Sequence, residues 1–365
     1  MNVTNWNPLL DAPNYPADGY ARLADRLARL LSTKNDVLLV QAEAIVALEA
    51  AALGLARPGL RALNIVTSPY GVWFGTWLGR GGAAVTQLAA TPGKPIETAA
   101  VAAALAGKDI GLIAVVHAES ASGILNPLEE IAALAREAGA LLVVDAVASF
   151  AGHPLDVDAL GADIVVVGPQ KSLGGPSGVS ALSVSPRAWQ QIAAPGGPTL
   201  STLSLADLRA NWLATGRRAL PGMPSAVEFY ALEAALDRIE AEGIAAVVAR
   251  HAVAAAASRA GLAALGLPAW VGERAASNLV TAAEIPAGVD RAAVLRTLVP
   301  FGVDISAAIG QGTDRLLRLG HTGPRARFEA VLANVVALGS VLASLGADVD
   351  VGAAAAGIAR VFAGA

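Results

Sequence analysis

Short, mainly apolar runs rich in β-branched residues recur along the first half of the chain: Val37–Val40, Leu63–Thr67, Leu112–His117, Leu141–Val144, Ile164–Val167 and Val179–Val184. Alternating polar and apolar positions would mark strands wetted on one face. Continuous runs mark strands buried on both faces, as in a largely parallel sheet covered by helices. Between them, Ile45–Leu55 and Pro127–Ala138 read as helices, the second with Glu129 and Glu130 in its first turn, where carboxylates meet the positive end of the helix dipole. The pattern predicts an α/β fold as far as about Ser185. Beyond it the texture changes: Pro195–Pro198 is a turn-rich loop, Ala226–Ala241 and the alanine-rich Ala252–Leu265 read as helices, Leu279–Ala283 as a strand and Arg325–Leu345 as a helix. These elements predict a smaller C-terminal α+β domain. The division expected is an N-terminal arm over 1–20, a large domain over 21–250 and a small one over 251–365. The alanine density is a bias of composition, with no repeat.

A chain of 365 residues with 55% hydrophobic content can bury one large core and a second, smaller one. The formal net charge of -4 and the absence of any Lys/Arg run argue against nucleic acid or an anionic membrane as partner, leaving a small molecule. With no cysteine there is no disulfide, thiolate nucleophile or Cys-ligated metal. The four histidines, His117, His153, His251 and His321, show no i, i+4 spacing, so no metal site is expected. The opening MNVTNWNPLL lacks a basic start followed by an apolar stretch, and Glu49, Glu119, Asp145 and Asp163 interrupt the long apolar segments. Neither a signal peptide nor a membrane span is expected, and the cytoplasm is the default location.

In open α/β sheets, ligands lie outside the carboxyl ends of the strands. Three polar groups follow apolar runs there: Asp145 in ALLVVDAVASF, His117–Ser122 after IGLIAVV, and Lys171 after ADIVVVGPQ. Lys34, Lys94 and Lys108 each stand beside Asn, Gly or Asp in turn-like sequence, whereas Lys171 alone follows a buried strand. An acid at a strand end can serve as a mere cap or salt-bridge partner, but the combination points to chemistry. A desolvated lysine loses proton affinity and becomes an amine nucleophile. An aspartate beside it can keep a pyridine nitrogen protonated, turning such a ring into an electron sink.

The stretch His117–Trp189, HAESASGILNPLEEIAALAREAGALLVVDAVASFAGHPLDVDALGADIVVVGPQKSLGGPSGVSALSVSPRAW, resembles the class V, fold-type I aminotransferases of the alanine–glyoxylate and serine–pyruvate type. It carries their S-x-[ST]-G, D-x-V-S/A-S and Q-K motifs in order, and a weaker likeness runs from about Pro16 to the C-terminus. The resemblance implies a mainly parallel, seven-stranded-type sheet, a vitamin B6 ligand and a homodimer or dimer of dimers. It implies that Lys171 forms the Schiff base and that Asp145 partners the ring nitrogen. By the same likeness Tyr70 stacks on the ring, Ser120 and Gln170 contact it and its substituents, and Arg318 holds a substrate carboxylate through its bidentate fork.

The likeness fails where the phosphate of pyridoxal 5′-phosphate would sit. The family opens the helix before LEAA with Ser, Gly and His or Thr; here QAEAIVALEAA places Glu43 there. The family's T-x-P segment, supplied by a neighbouring subunit near Arg217–Pro224, reads RALPGMPSAVEF, with Gly222 in place of the Thr and no tyrosine before it. Both departures disfavour a dianion. A branch of the family that acts on unphosphorylated B6 has a glutamate and a tyrosine where Glu43 and Tyr70 stand, and an R-I-G-H-x-G-P like Arg318–Pro324. The resemblance to it implies amino transfer between pyridoxamine and pyruvate, giving pyridoxal and L-alanine in B6 degradation, with no tightly bound cofactor. Ile309 replaces a second arginine of that branch, which leaves the 2-oxo acid open. The alternatives are a phosphate-bound alanine–glyoxylate or serine–pyruvate aminotransferase, and an inactive B6-binding scaffold.

Overall fold

The computed structural model describes residues 13–365. The opening decapeptide and most of the arm expected over 1–20 lie outside the described residues. In chain order the strands of the first sheet are β1 (Asp36–Val40), β2 (Arg61–Val66), β3 (Ala84–Ala89), β4 (Leu112–Val116), β5 (Leu141–Asp145), β6 (Ile164–Val167) and β7 (Ser180–Val184). They form one seven-stranded sheet of order β1-β7-β6-β5-β4-β2-β3. The pairs from β6 through β5, β4 and β2 to β3 are parallel, while β7 runs antiparallel to both β1 and β6. Strands β4, β6 and β7 are buried along their whole length, as continuous apolar runs require. The edge strand β3, AVTQLA, is mostly exposed, and its two central polar residues deny it the run that marks the others.

The helices that matter for the site are α1 (Gly19–Leu30), α2 (Ala44–Leu55) and α3 (Pro69–Arg80), with α4 (Thr98–Leu105) and α5 (Leu128–Glu137) completing the layers. In α2 the small side chains of Ala44, Ala47, Ala50, Ala51 and Ala52 are all buried, letting its axis lie close to β1, β6 and β7. Its N-terminus therefore opens at the sheet's carboxyl edge. Helix α3 starts with Pro69 at its first position, preset for helix, and Ser68 caps it by accepting from Tyr70 N–H at 3.2 Å.

The second sheet holds β8 (Val280–Glu284), β9 (Ile305–Ala307) and β10 (Leu316–Gly320) in antiparallel order β8-β10-β9. Register places Arg318 opposite Ala282 and Ser306. The helix expected from Ala252 begins earlier, at Ile244, where Gly243 (φ 84°) breaks the chain after the helix Ala226–Glu242. Residues 245–249, AAVVA, then continue the helix without a break. That helix joins two cores: Val247 packs in the core of the large sheet, and Ala254, Ala257 and Leu262 pack in the core of the small one. At Gly261 an added Cβ would meet Ile358 at 2.8 Å and Val335 at 3.0 Å, so this crossing of three helices requires glycine. No helix among the described residues is long and apolar enough to cross a membrane.

Candidate active site

Five of the residues singled out by sequence line one cavity at the carboxyl edge of the large sheet: Glu43, Tyr70, Ser120, Asp145 and Lys171. Each arrives on a different segment, from the start of α2, the start of α3, the loop after β4, the end of β5 and the turn after β6. Gln170 stands behind Glu43 and donates from Nε2 to Glu43 Oε1 at 2.5 Å. Arg318 reaches the site from β10, donating from Nε to Ser306 Oγ at 2.8 Å and from Nη1 to the carbonyl of Ser120. Its pairing with Ser120 brings the small sheet to the large one at the site. Of the lysines, Lys34, Lys94 and Lys108 are exposed and only Lys171 is half-buried.

The charges at the site are tuned by their surroundings. Burial, and then the positive charge of Arg318, lower the Lys171 ammonium from its ordinary value, against the opposing pull of Glu43, Asp145 and Asp304. Burial pushes the Asp145 carboxyl up to about 6; the N–H of Val147, which Oδ1 accepts at 2.9 Å, and the charge of Lys171 work the other way. A lysine whose ammonium is disfavoured, in one cavity with a carboxylate, is the pairing nucleophilic amine chemistry needs.

Glu43 is the N-cap of α2. Its Oε2 accepts from Ile45 N–H at 2.8 Å while Oε1 accepts from Gln170. The carboxylate thus sits at the positive end of the helix and occupies its first free donor.

Sequence reasoning passed over two features. Glu119, which lay there within the polar segment His117–Ser122 but was given no role, is fully buried beside Ser120; Oε1 accepts from Thr67 Oγ1 at 2.5 Å and Oε2 has no partner among the described residues. Burial pushes it up to about 7, against the hydroxyls of Ser68 and Thr67, and the charge of Asp145 adds to the rise. Its signal was available: a carboxylate closing an apolar strand, flanked by Ala118 and Ser120. The second feature is the gathering of all four histidines in the seam between the two sheets. The rings of His117 and His153 lie 5.6 Å apart. His153 Nε2 accepts from Asn278 N–H at 3.0 Å, His321 pairs with Thr281 Oγ1 and Asn278 O, and His251 Nε2 accepts from Gly323 N–H at 2.8 Å. Gly323 (φ 58°) sits so close to the Lys171 carbonyl that a Cβ would come within 2.9 Å of it, so the network braces the Lys171 turn. No cluster of metal-ligating residues occurs among the described residues.

A larger cavity of about 760 Å³, between Phe150, His153 and Arg136 on one side and Ile244 on the other, contains none of these reactive groups. The segment Arg217–Pro224, expected to serve a neighbouring copy, is tied to its own fold by Arg217–Asp25 and by Gln41 donating to Pro221 O, and it leaves Met223 98% exposed.

The family model for class V aminotransferases matches residues 16–319. The chain belongs to the class V aminotransferases. Among its relatives, the pyridoxamine–pyruvate transaminase of Mesorhizobium japonicum is 36% identical over 340 residues, covering 91% of this aminotransferase and 85% of that one. The alanine–glyoxylate aminotransferase of Callithrix jacchus is 32% identical over 310 residues, 83% of this chain and 74% of that one. The crystal structure of pyridoxamine–pyruvate aminotransferase from Mesorhizobium loti superposes with a TM-score of 0.92 at 34% identity, covering 98% and 93% of the two chains. That of ureidoglycine–glyoxylate aminotransferase from Bacillus subtilis gives 0.89 at 25% identity, covering 96% and 92%. The fold-type I architecture expected from sequence is the one found, with the seven-stranded, mainly parallel sheet and the small antiparallel one. The family depends on pyridoxal 5′-phosphate. Lys171, Asp145 and Tyr70 line one cavity, and the carboxylate of Glu43, at the N-terminus of α2, lines the same cavity.

Proposed function

We propose that this aminotransferase exchanges an amino group between free pyridoxamine and pyruvate, yielding pyridoxal and L-alanine, a reaction suited to B6 breakdown. The observation that carries the reading is the Glu43 carboxylate, anchored by Ile45 N–H and Gln170 in the cavity of Lys171 and Asp145. A carboxylate accepts the hydrogen bond of a 5′-hydroxymethyl group, whereas against a phosphate dianion it sets like charges together. The likeness to pyridoxamine–pyruvate transaminase over 91% of the chain supports the same substrates.

When bound, the B6 ring supplies the electron sink that amino transfer requires. Lys171, its neutral amine favoured by burial and by Arg318, would move the proton between the 4′ carbon of the vitamer and the alanine Cα, the water lost as the pyridoxamine amine condenses with pyruvate being returned when pyridoxal is released. Asp145 keeps the ring nitrogen protonated, and Tyr70 presents an aromatic face beside it. Arg318 turns its remaining N–H groups to the carboxylate of pyruvate. Gln170 restrains Glu43, so the acceptor for the hydroxymethyl group is held in one place.

The test is equilibrium binding of pyridoxal and of pyridoxal 5′-phosphate to the wild-type protein. Tighter binding of the free form is the expected result; tighter binding of the phosphate would return the chain to the phosphate-dependent alanine–glyoxylate or serine–pyruvate enzymes.

A further inference from the structure

Beside the reaction cavity lies a second one of about 240 Å³. Its walls come from five places: Val66–Pro69 with Val72 and Trp73 at the start of α3, residues 89–93 at the end of β3 and beyond, Ser122 after β4, Trp270 before β8, and Ile309–Gln311 with Thr313 after β9. These walls are fitted to one another. Gly93 (φ +80°) lets the indole of Trp270 lie against the loop after β3, for an added Cβ would meet the ring at 3.1 Å. At Gly312 (φ +75°) a Cβ would meet Pro92 at 3.2 Å, so the two loops can close on each other only with glycine there.

This cavity adjoins the groups expected to hold the acid. Ser122 lines it two residues beyond Ser120, whose carbonyl accepts from Arg318 Nη1. Ile309 N–H donates to Ala121 O at 3.3 Å, and Pro69 lines it next to Tyr70. An oxo acid whose carboxylate rests on Arg318 would therefore have this space within reach of its side chain. The lining contains no Asp, Glu, Lys, Arg or His. Two indoles and Ile309 form its apolar wall beside uncharged polar side chains such as Thr67, Gln311 and Thr313, and Trp73 (46%) and Ile309 (50%) are still partly exposed, leaving apolar surface for a ligand to cover. A second carboxylate entering here would find hydroxyls and an amide but no cation in the lining, and a charge without a counter-charge is disfavoured on leaving water.

We propose that this cavity is the side-chain pocket of the 2-oxo acid, and that it selects monocarboxylic acids with apolar side chains, including branched ones larger than the methyl of pyruvate. The inference rests on the proposed amino transfer and narrows its acceptor. The chemistry is unchanged: pyridoxamine gives up its amino group and becomes pyridoxal, the 2-oxo acid becomes the amino acid, and no outside oxidant or reductant enters.

The experiment compares kcat/KM for pyruvate, 2-oxo-4-methylpentanoate and 2-oxoglutarate with pyridoxamine as donor, in the wild type and in Ile309→Arg, with a melting curve for each protein. Ile309 is an exposed loop residue, so the variant should fold. Hydrophobic side-chain pockets discriminate by about ten-fold or more per group. The wild type should use the branched acid at least as well as pyruvate and 2-oxoglutarate at least about ten-fold less well, and Ile309→Arg should narrow or invert that ranking. Transfer with 2-oxoglutarate as good as with the branched acid, or a ranking untouched by Ile309→Arg, overturns the pocket assignment alone. Absence of transfer with every acceptor overturns the proposed reaction and the pocket with it.

Discussion

Replacing Glu43 with glutamine removes one negative charge while keeping the side chain's length and one acceptor oxygen. In the folded protein that carboxylate accepts from Ile45 N–H at 2.8 Å and from Gln170 at 2.5 Å, bonds that would have to break for it to swing away from an incoming ligand. A unit charge pair about 4 Å apart is worth about 4 kcal/mol at an effective dielectric near 20, and a phosphate carries up to two charges, so the repulsion suppresses phosphate binding unless protons are taken up. The hydrogen bond from a 5′-hydroxyl to a carboxylate is typically worth about 1.5–3 kcal/mol, and glutamine weakens it. Both effects move the ratio of the two dissociation constants the same way. A change of at least about ten-fold, or about 1.4 kcal/mol, is the conservative expectation. The fold should survive, because the lost charge–dipole interaction at the α2 N-terminus is worth only about 0.3–1 kcal/mol. Titrating both vitamers into wild type and Glu43→Gln, by calorimetry or by ligand absorbance, gives the ratio directly. A ratio unchanged within two-fold would refute the claim that Glu43 sets the choice of vitamer.

Three further outcomes follow from the same geometry. Lys171→Ala should lose amino transfer and keep its fold, since Lys171 is the lysine lining the cavity; retention of a tenth of the turnover, about 1.4 kcal/mol in barrier, would contradict its role. Glu119, raised by burial to about 7 from 4.5, destabilises the native state as pH climbs from 4.5 through 7, because only the unfolded chain releases that proton freely; Glu119→Gln should therefore gain stability relative to wild type above pH 7, by up to about 3 kcal/mol, and equal melting temperatures at pH 6 and pH 8.5 would count against it. The histidines run the opposite way: burial lowers His117 and His251 to about 4 and His153 and His321 to about 3, so the unfolded chain binds protons below pH 6.5 that the native state refuses, and the melting temperature should fall steeply between pH 6.5 and pH 4. A flat profile over that window would show that the imidazoles are wetter than their burial implies.

How legible this was in the sequence depended on the range of the interactions involved. The buried strands declared themselves because a strand covered on both faces must be apolar throughout, and α2 and α5 did so through composition and first-turn charge. Strand β3 did not, since an edge strand has one wet side and AVTQLA contains no continuous apolar run. The antiparallel direction of β7 left no local trace, because burial constrains side chains and not chain direction. At the site, Lys171 and Asp145 were readable from their position after strands. The cap that Glu43 places on α2, and its tie to Gln170, join residues 127 positions apart and needed the fold. So did the histidine seam: His153 and His321 look isolated in sequence and are linked through Asn278, which bonds to both. Glu119 received no role in the sequence because its burial depends on the turn in which Gly123 N–H bonds to its carbonyl.

The central claim, that an unphosphorylated vitamer is the substrate, is tested most directly by turnover of the purified wild-type protein without added pyridoxal 5′-phosphate. Pyridoxamine and pyruvate are supplied, and pyridoxal and L-alanine are quantified together over many turnovers, with pyridoxamine 5′-phosphate in a parallel reaction. The account predicts stoichiometric formation of both products from the free vitamer and slower or no reaction of the phosphate. Turnover that appears only when pyridoxal 5′-phosphate is added, with pyridoxamine left unconsumed, would contradict it.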